Sequence, residues 1–393
     1  MTVRSMDNGM PGRAELRLGL GEDELQFKAS VERLLARDYG FERRRAALAN
    51  GGFDPDFWQQ LAELGWLGAC FPEPLGGYGQ SANEALILLE QFGRALVLEP
   101  LLGAVLVPGA ALLAGGRADA HGALIDGLIA GERRLALAWS EQGRRGARRP
   151  RLTSAVRDQR GWCVNGVKQT VLNAPLADTL LVSAIAGEDS VLLLVPHDAP
   201  GVSLIEYTTI DGQPAADLRF TNVVLPDDAL AAGPECCERA MDAAMNWGAA
   251  GACAEALGAM DAALELTLEY TGTRQQFGQK LSGFQVIQHR LAAMATELEY
   301  SQALLPLLAA HLDGNGADRS AQIAGIQARI VGSARCVVAD AVQLHGGIGV
   351  TDEAAISHCF RRVTALEQAW GSARQNLERY RQGRQGYDPL LLQ

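Results

Sequence analysis

Hydrophobic positions recur with a helical period through the first third of the chain. From about residue 22 to 131 the apolar residues fall three or four positions apart, as in segments 23–49 and 82–97. A dense group of Gly and Pro at 71–79 interrupts this pattern and predicts a loop. We therefore predict a helical N-terminal region.

The pattern changes to short β-prone runs between residues 134 and about 226. Gly, Pro or Asp residues lie near both ends of three such runs, at 180–185, 190–195 and 202–207. The Asn165-Gly166 pair predicts a two-residue hairpin turn, because both residues tolerate the positive φ of a type I′ turn. This stretch is predicted to form a β domain.

The helical period returns after Pro226 and holds almost to the end of the chain. Two apolar stripes mark long helices: Ile287, Leu291, Met294 and Leu298, then Ile323, Ile326, Ile330, Val337 and Leu344. We predict three domains: an N-terminal helical domain over 1–133, a middle β domain over 134–228 and a C-terminal helical bundle over 229–393. The fold class is mainly α with a middle β domain.

Composition and charge agree with such a protein and exclude several classes of function. The 393 residues carry a formal net charge of −11, which disfavours binding to nucleic acid or an anionic membrane. The longest uncharged stretch, 100–116, contains Pro108 and is shorter than a membrane-spanning helix, so no membrane association is predicted. Seven cysteines without a CxxC pair favour a reducing, cytoplasmic location. Cysteines and histidines do not occur together at the spacing of a zinc site, so no metal site is predicted.

Two stretches of polar and glycine residues interrupt the C-terminal helical pattern. One contains Arg274, Phe277 and Gln285, and the other runs from Gln343 through Gly346-Gly347. The two glycines could simply end a helix, or they could let backbone N–H groups approach a phosphate. Arg274 could be a solvated charge, or it could bind a pyrophosphate while Phe277 packs on an adenine. The residues themselves leave both interpretations open.

Taken together, these stretches resemble the acyl-CoA dehydrogenase family. The matching motifs are Arg274-x-x-Phe277-Gly278, the run from Phe284-Gln285 to Met294, and Gln343-x-x-Gly346-Gly347-x-Gly349. The resemblance covers nearly the whole chain. It implies an N-terminal helical domain, a middle β-barrel and a C-terminal four-helix bundle.

The resemblance also implies a cofactor and a reaction. Family members use FAD to dehydrogenate an acyl-CoA thioester between its α and β carbons. Their tetramers bind FAD partly through residues of a neighbouring subunit, which here match Arg274, Phe277, Gln285, Gln343, Gly346 and Gly347. Ser140 matches a hydroxyl beside the flavin. We therefore expect FAD, an acyl-CoA substrate and a homologous partner subunit in a homo- or heterotetramer.

The sequence departs from the family where the catalytic base should be. Most members have a glutamate just before a Gly-Thr or Gly-Ser pair, and here Trp370 precedes Gly371-Ser372. Other members have it about 26 residues before the motif arginine, where this chain has Gly248. The flavin-stacking Trp-x-Thr-Asn segment reads Thr170-Val-Leu-Asn173. The resemblance is therefore closest to one subunit of a heteromeric enzyme, such as the small subunit of pimeloyl-CoA dehydrogenase or heteromeric steroid-CoA dehydrogenase subunits.

Several alternatives stay open at this level. The chain could be a self-sufficient homotetramer with a relocated carboxylate, for which Glu367 is a candidate, or a non-enzymatic scaffold with this fold. Glu367 could equally be a solvated helix residue, and Trp370 either a core aromatic or part of a substrate tunnel. A basic loop either is solvated or binds CoA phosphates through Arg144, Arg145, Arg148, Arg149 and Arg151.

Overall fold

The structure is a computed structural model that describes residues 20–79, 81–143 and 149–383. Six α-helices form the N-terminal region: α1 Glu22–Asp38, α2 Phe41–Ala49, α3 Pro55–Glu63, α4 Ala82–Ala95, α5 Val107–Ala114 and α6 Gly122–Ile129. Asp54 begins α3 by accepting hydrogen bonds from the backbone N–H groups of Asp56 and Phe57, with Pro55 at the first helical position. The predicted helical segment 23–49 consists of two helices, because the helical structure is interrupted at Tyr39 and Gly40.

Among the described residues, eight strands form one sheet in the middle of the chain: β1 Leu135–Ala138, β2 Ser154–Asp158, β3 Gly161–Leu172, β4 Thr179–Ala186, β5 Asp189–Pro196, β6 Val202–Thr208, β7 Pro214–Leu225 and β8 Leu230–Ala232. The strand order is β6-β7-β3-β2-β4-β5-β8, and β1 lies parallel to β4. The three predicted strands are present as β4, β5 and β6. The last strand, β8, pairs with β5 and lies just beyond residue 228, the predicted end of the β domain.

The predicted hairpin turn at Asn165-Gly166 is wrong. These residues lie inside β3, where the register against β7 shifts between Val164 and Gly166. Such a shift marks a β-bulge, which a glycine accommodates as readily as a turn. The turn between β2 and β3 instead falls at Gln159 and Arg160.

As far as residue 383, where the described part ends, the C-terminal region contains six helices: α7 Pro234–Thr273, α8 Gln285–Gln302, α9 Leu305–Asp313, α10 Arg319–His345, α11 Ala355–Ala369 and α12 Ala373–Gly383. A small hairpin, β9 Gln275–Gln276 and β10 Gln279–Lys280, joins α7 to α8. Both predicted stripes lie on α8 and α10, and Met294, Leu298, Ile330 and Val337 are buried. The fold class is confirmed.

Glycines bring the N-terminal and C-terminal helices into close contact. A Cβ on Gly93 of α4 would lie 2.0 Å from the backbone oxygen of Glu255, and one on Gly258 of α7 would lie 1.8 Å from that of Glu90. The two backbones therefore touch without intervening side chains. One hydrophobic core spans these helices, and a second lies within the sheet. Within the described ranges, no helix is long and apolar enough to cross a membrane.

Candidate functional site

A cavity of about 490 Å³ lies where the three regions meet. Its lining includes Glu99 from the N-terminal region, Ser140 and Asn173 from the loops after β1 and β3, and Arg362 and Trp370 from α11 and its end. Of the residues that the resemblance singles out, Ser140, Trp370 and both ends of the Thr170–Asn173 segment line it. The other predicted cofactor residues lie elsewhere on the molecule.

A buried ion pair holds the segment that carries Ser140. The ammonium of Lys168 donates to Glu141 Oε1 at 2.9 Å and to Ser183 Oγ at 3.0 Å, and both charged side chains are almost fully buried. Backbone N–H groups of residues 151–153 also donate to Glu141. Burial would raise the pKa of Glu141, but the Lys168 charge and these donors lower it to about 2. Glu141 is thus an ionised structural anchor next to Ser140.

A second charged network lies on another wall of the cavity. The Arg362 guanidinium donates to Asp211 Oδ2 at 2.6 Å and to Glu255 Oε2 at 2.9 Å. Arg44 donates to the backbone oxygen of Asp211 at 3.0 Å. Burial raises the pKa of Glu255 against the opposing effect of the Arg362 charge. Arg362 therefore forms an ion pair with each of the two acids.

Glu99 is the cavity carboxylate with an unsatisfied oxygen. Its Oε1 accepts a hydrogen bond from the backbone N–H of Asp54 at 3.1 Å, while Oε2 is buried without a partner. The side chain is 3% exposed, and burial raises its pKa to about 7. Sequence reasoning missed Glu99, whose only signal is a single acid just before the longest uncharged stretch.

The two positions where the resemblance predicts a base touch each other. A Cβ on Gly248 of α7 would lie 2.3 Å from Cε3 of the Trp370 indole. The Trp370 residue is 6% exposed, and its backbone oxygen accepts a hydrogen bond from Gln327 Nε2 at 3.3 Å. The indole therefore occupies the space next to the second base position as well as the first.

Glu367, the candidate relocated base, lies outside the cavity lining. Arg335 Nη1 lies 3.3 Å from both of its carboxylate oxygens, and the Glu367 residue is only 7% exposed. Glu367 is therefore an ion-paired residue of α11 and not the solvated one that the alternative interpretation described.

The remaining predicted cofactor residues lie together on the surface. We call this group the motif surface: Arg274, Phe277, Gln285, Gln343, Gly346 and Gly347, all of which are exposed. The rings of Tyr270 and His345 stack with centroids 4.5 Å apart, so the end of α7 that precedes Arg274 lies against the end of α10 that precedes Gly346. The chain thus brings both motifs to one place, although none of their residues lines the cavity.

The hairpin after α7 holds Phe277 in an unusual position. Phe277 and Gly278 have φ values of +52° and +81°, which form a two-residue turn, and the phenylalanine is 90% exposed. A bulky residue in the left-handed region is uncommon and strained. Nothing in the described part of the chain covers this ring except an edge contact with Phe284.

The motif surface has the groups that a dinucleotide pyrophosphate requires. The Arg274 guanidinium has no hydrogen-bond or ion-pair partner among the described residues. Gly346, with φ +67°, ends α10, so the helix-cap interpretation holds. A Cβ on Gly346 or on Gly347 would meet no atom within 4 Å, so the space above both is open to a ligand.

The cavity has fewer of the groups predicted for its part of the cofactor, the flavin ring, than the motif surface has for the pyrophosphate. Asn173 retains a buried Oδ1 without a partner, as an acceptor that a ligand could satisfy. Thr170 stands where the resemblance predicts the stacking indole; it is exposed, with φ +53°. The cavity therefore keeps polar groups and lacks the predicted indole at residue 170, although Trp139 and Trp370 line other parts of it.

Part of the predicted basic loop can be located. Arg149 donates to the backbone oxygen of Glu188, and the backbone N–H of Arg151 donates to Glu141. Arg144, Arg145 and Arg148 lie outside the described residues. The CoA-phosphate role of this loop stays a prediction.

Three protein-family models match successive parts of the chain. They are described as the N-terminal, middle and C-terminal domains of acyl-CoA dehydrogenases, and they match residues 21–132, 136–223 and 237–379. The matched ranges follow the order of the helical, β and helical regions described above.

Individual proteins are similar over nearly the whole length. The acyl-CoA dehydrogenase IpdE2 of Mycobacterium tuberculosis is 28% identical over 360 residues, covering 91% of this chain and 96% of that protein. A structure of a Tcur3481-Tcur3483 steroid ACAD variant is 30% identical, covers 93% of this chain and 98% of that chain, and has a TM-score of 0.83. The ChsE4-ChsE5 complex from Mycobacterium tuberculosis is 23% identical with a TM-score of 0.85, covering 94% and 99%.

Proposed function

The chain belongs to the acyl-CoA dehydrogenase family, and from this premise we propose that it is the base-lacking subunit of a heteromeric, FAD-dependent acyl-CoA dehydrogenase. The observation that carries the proposal is the contact between Trp370 and Gly248. An indole and a glycine cannot accept the α-proton of a thioester, and the two residues fill both positions where family members place a base.

The other carboxylates of the cavity do not replace the base. Among the described lining residues these are Glu99, Glu141, Asp211 and Glu255. Glu141 is bound to Lys168 and to three backbone N–H groups, while Asp211 and Glu255 share Arg362. Glu99 follows Leu98, whose backbone oxygen accepts a hydrogen bond from Gln213, and Asp211 of the same turn binds Arg362. A self-sufficient enzyme would need a carboxylate at the Trp370 end.

The motif surface supports the donating role. FAD, when bound, accepts the β-hydride of the acyl-CoA substrate. Arg274 would bind its pyrophosphate through charge-assisted hydrogen bonds, Gly346 and Gly347 would admit its phosphates, and Phe277 would pack on its adenine. All of these groups are exposed and lie outside the lining of the chain's own cavity, which fits binding to the cofactor of a neighbouring subunit. Exposed apolar residues beside them also fit a subunit contact: Val286, Ile348 and Val350.

The names of similar proteins point the same way. The Tcur3481-Tcur3483 steroid ACAD, 30% identical to this chain, carries two joined names. We therefore propose a two-component assembly, with a steroid-CoA or fatty acyl-CoA thioester as substrate. All seven cysteines are free, which fits the proposed cytoplasmic location.

The test is an anaerobic flavin-bleaching assay with a panel of acyl-CoA and steroid-CoA thioesters. We expect the purified chain to show at least about 10² to 10⁴ times less activity than its complex with a co-purified homologous subunit that has a glutamate base. Glu→Gln at that base should abolish bleaching, whereas Glu367→Gln in this chain should not. We expect one FAD per two chains.

The flavin content separates the alternatives. One FAD per chain with an ordinary bleaching rate for the single chain would overturn the proposal in favour of a self-sufficient homotetramer. No FAD in any complex would overturn it in favour of a scaffold.

A further inference from the structure

The indole of Trp370 lies where the resemblance brings base and substrate together. We infer that it blocks the place of the reacting carbons, so that this chain's own cavity takes no acyl-CoA thioester. Trp370 is then the residue that excludes substrate from this subunit of the complex. The inference rests on the acyl-CoA part of the proposed function and adds a steric cause for the difference between two subunits.

The two base positions locate the reacting carbon. A glutamate at residue 370 or at residue 248 would remove a proton from the same α-carbon of the thioester. That carbon must therefore lie within reach of both positions, between the end of α11 and the wall of α7. A side chain that fills this space excludes the thioester from the reacting position.

The indole leaves no room in this space. A Cβ on Gly248 would overlap Cδ2, Cε3 and Cζ3 of Trp370, which all belong to the six-membered ring of the indole. The ring therefore lies directly against the backbone of α7. Since two carbon atoms in contact need about 3.5–4.0 Å between them, no ligand atom fits between the ring and this helix.

The same wall of α7 is covered over its next two turns. Gly251 and Glu255 follow Gly248 on one face of the helix, because they lie three and seven positions further along. A Cβ on Gly251 would overlap a methyl group of Leu102, and Glu255 is paired with Arg362. Both covering side chains line the cavity, as the indole does. A thioester would have to displace side chains of this chain in order to reach α7.

Buried amides hold the backbone on both sides of the indole. Gln327, 1% exposed, donates to the backbone oxygen of Trp370 at 3.3 Å. Asn376, also 1% exposed, donates to the backbone oxygen of Gly371 at 3.0 Å. Gly371 has a φ of +107°, which favours glycine. Contacts from α10 and α12 therefore set the direction in which the indole projects.

The experiment measures bound acyl-CoA and steroid-CoA thioesters by anaerobic equilibrium dialysis, which counts the CoA whether or not the acyl group has been dehydrogenated. It uses the full chain and its co-purified complex, with substitutions made only in this chain. We expect the wild-type complex to bind one thioester per two chains and the wild-type chain to bind thioesters weakly. Trp370→Ala should tighten binding to the chain about ten- to a hundredfold, because it removes the steric overlap.

A second substitution and a matched control test whether this gain is local. In the double variant Trp370→Ala, Gly248→Leu, a side chain from α7 occupies the vacated space, so the gain should be lost. Trp66→Leu removes a buried indole from the same hydrophobic core but outside the cavity lining, and it should leave binding unchanged. If Trp370→Ala does not fold, Trp370→Leu, which leaves a smaller space, takes its place.

Each outcome decides one part of the argument. No gain in Trp370→Ala and Trp370→Leu, with a wild-type complex that binds thioester, would overturn the inference and leave the proposed function intact. One thioester per chain in the wild-type complex would overturn the inference even if neither variant folds. An equal gain in Trp66→Leu or in the double variant would overturn the role of Trp370. Binding of no thioester to the wild-type complex would overturn the acyl-CoA assignment itself.

Discussion

The cavity and the motif surface have diverged in opposite directions. The cavity has lost the groups that the resemblance predicts for chemistry, since Trp370, Gly248 and Thr170 replace the base and the stacking indole. The motif surface has kept its groups, and none of them lines the cavity of the described chain. This contrast supports our proposal that the motif surface binds the cofactor of a neighbouring subunit.

The two regions also differ in how their charges are satisfied. At the cavity, Lys168 is paired with Glu141, and Arg362 is paired with Glu255. Both pairs are buried and lie within the single chain. On the motif surface, Arg274 is exposed and without a partner among the described residues. Substitutions in the cavity should therefore change the stability of the chain, and substitutions on the motif surface should change what it binds.

The largest expected effect comes from breaking the anchor beside Ser140. Lys168→Met leaves Glu141 charged and buried without its counter-ion, so we expect the free energy of unfolding to fall by about 3–5 kcal/mol. Lys280→Met, on the exposed hairpin, should change it by less than about 0.5 kcal/mol. Urea unfolding of the chain measures both. A similar loss in the two variants would remove the contrast between the regions.

A slightly smaller effect is expected from Glu99, and it depends on pH. Its pKa in the folded chain is about 7, against an ordinary value of 4.5, so between these pH values the folded chain holds a proton that the unfolded chain releases. This carboxyl therefore favours the folded state less as the pH rises from about 4.5 to about 7. Across that window, we expect the free energy of unfolding of Glu99→Gln to rise by on the order of 3 kcal/mol relative to that of the wild type. Unfolding measured at pH 4.5, 6 and 7.5 tests this, with a flat difference as the contrary result.

On the motif surface the effect should appear in cofactor affinity. Arg274→Ala removes a charge-assisted hydrogen bond to pyrophosphate, so FAD affinity of the complex should fall by about 1.5–3 kcal/mol. The free energy of unfolding of the chain alone should stay within about 0.5 kcal/mol of wild type. Flavin occupancy and FAD titration measure the first, with Arg160→Ala in the exposed β2-β3 turn as control. Wild-type occupancy in the Arg274→Ala complex would contradict the donating role.

The smallest effect tests whether the Trp370 end of the cavity is truly filled. Gly248→Ala places a methyl group against the indole, so we expect overpacking to lower the free energy of unfolding by about 1–3 kcal/mol. Gly332→Ala makes the same change in α10, where a Cβ would meet no atom within 4 Å. This substitution should raise the free energy of unfolding by about 0.5–1 kcal/mol. Thermal unfolding compares the two. A gain for Gly248→Ala would mean that the indole does not occupy this space.

Particular residues show where sequence reasoning held and where it failed. The stripe from Leu291 to Leu298 fixed the buried face of α8, because helical periodicity is a local property. Asn165-Gly166 misled, because a bulge and a turn use the same residue types, and the partner strand decides between them. A positive-φ turn is present in the separate hairpin of β9 and β10, at Phe277 and Gly278, where the propensity of phenylalanine does not favour it.

The order of the three regions, the family motifs and the lack of a glutamate at residues 370 and 248 can be read from neighbouring residues and their spacing. The contact of Trp370 with Gly248, the pairing of Arg362 with Asp211 and Glu255, and the position of Glu99 in the cavity lining could not be read in this way. The same holds for the position of the motif surface outside that lining. These relations depend on how distant segments pack, and packing is set by the complete arrangement of helices and sheet.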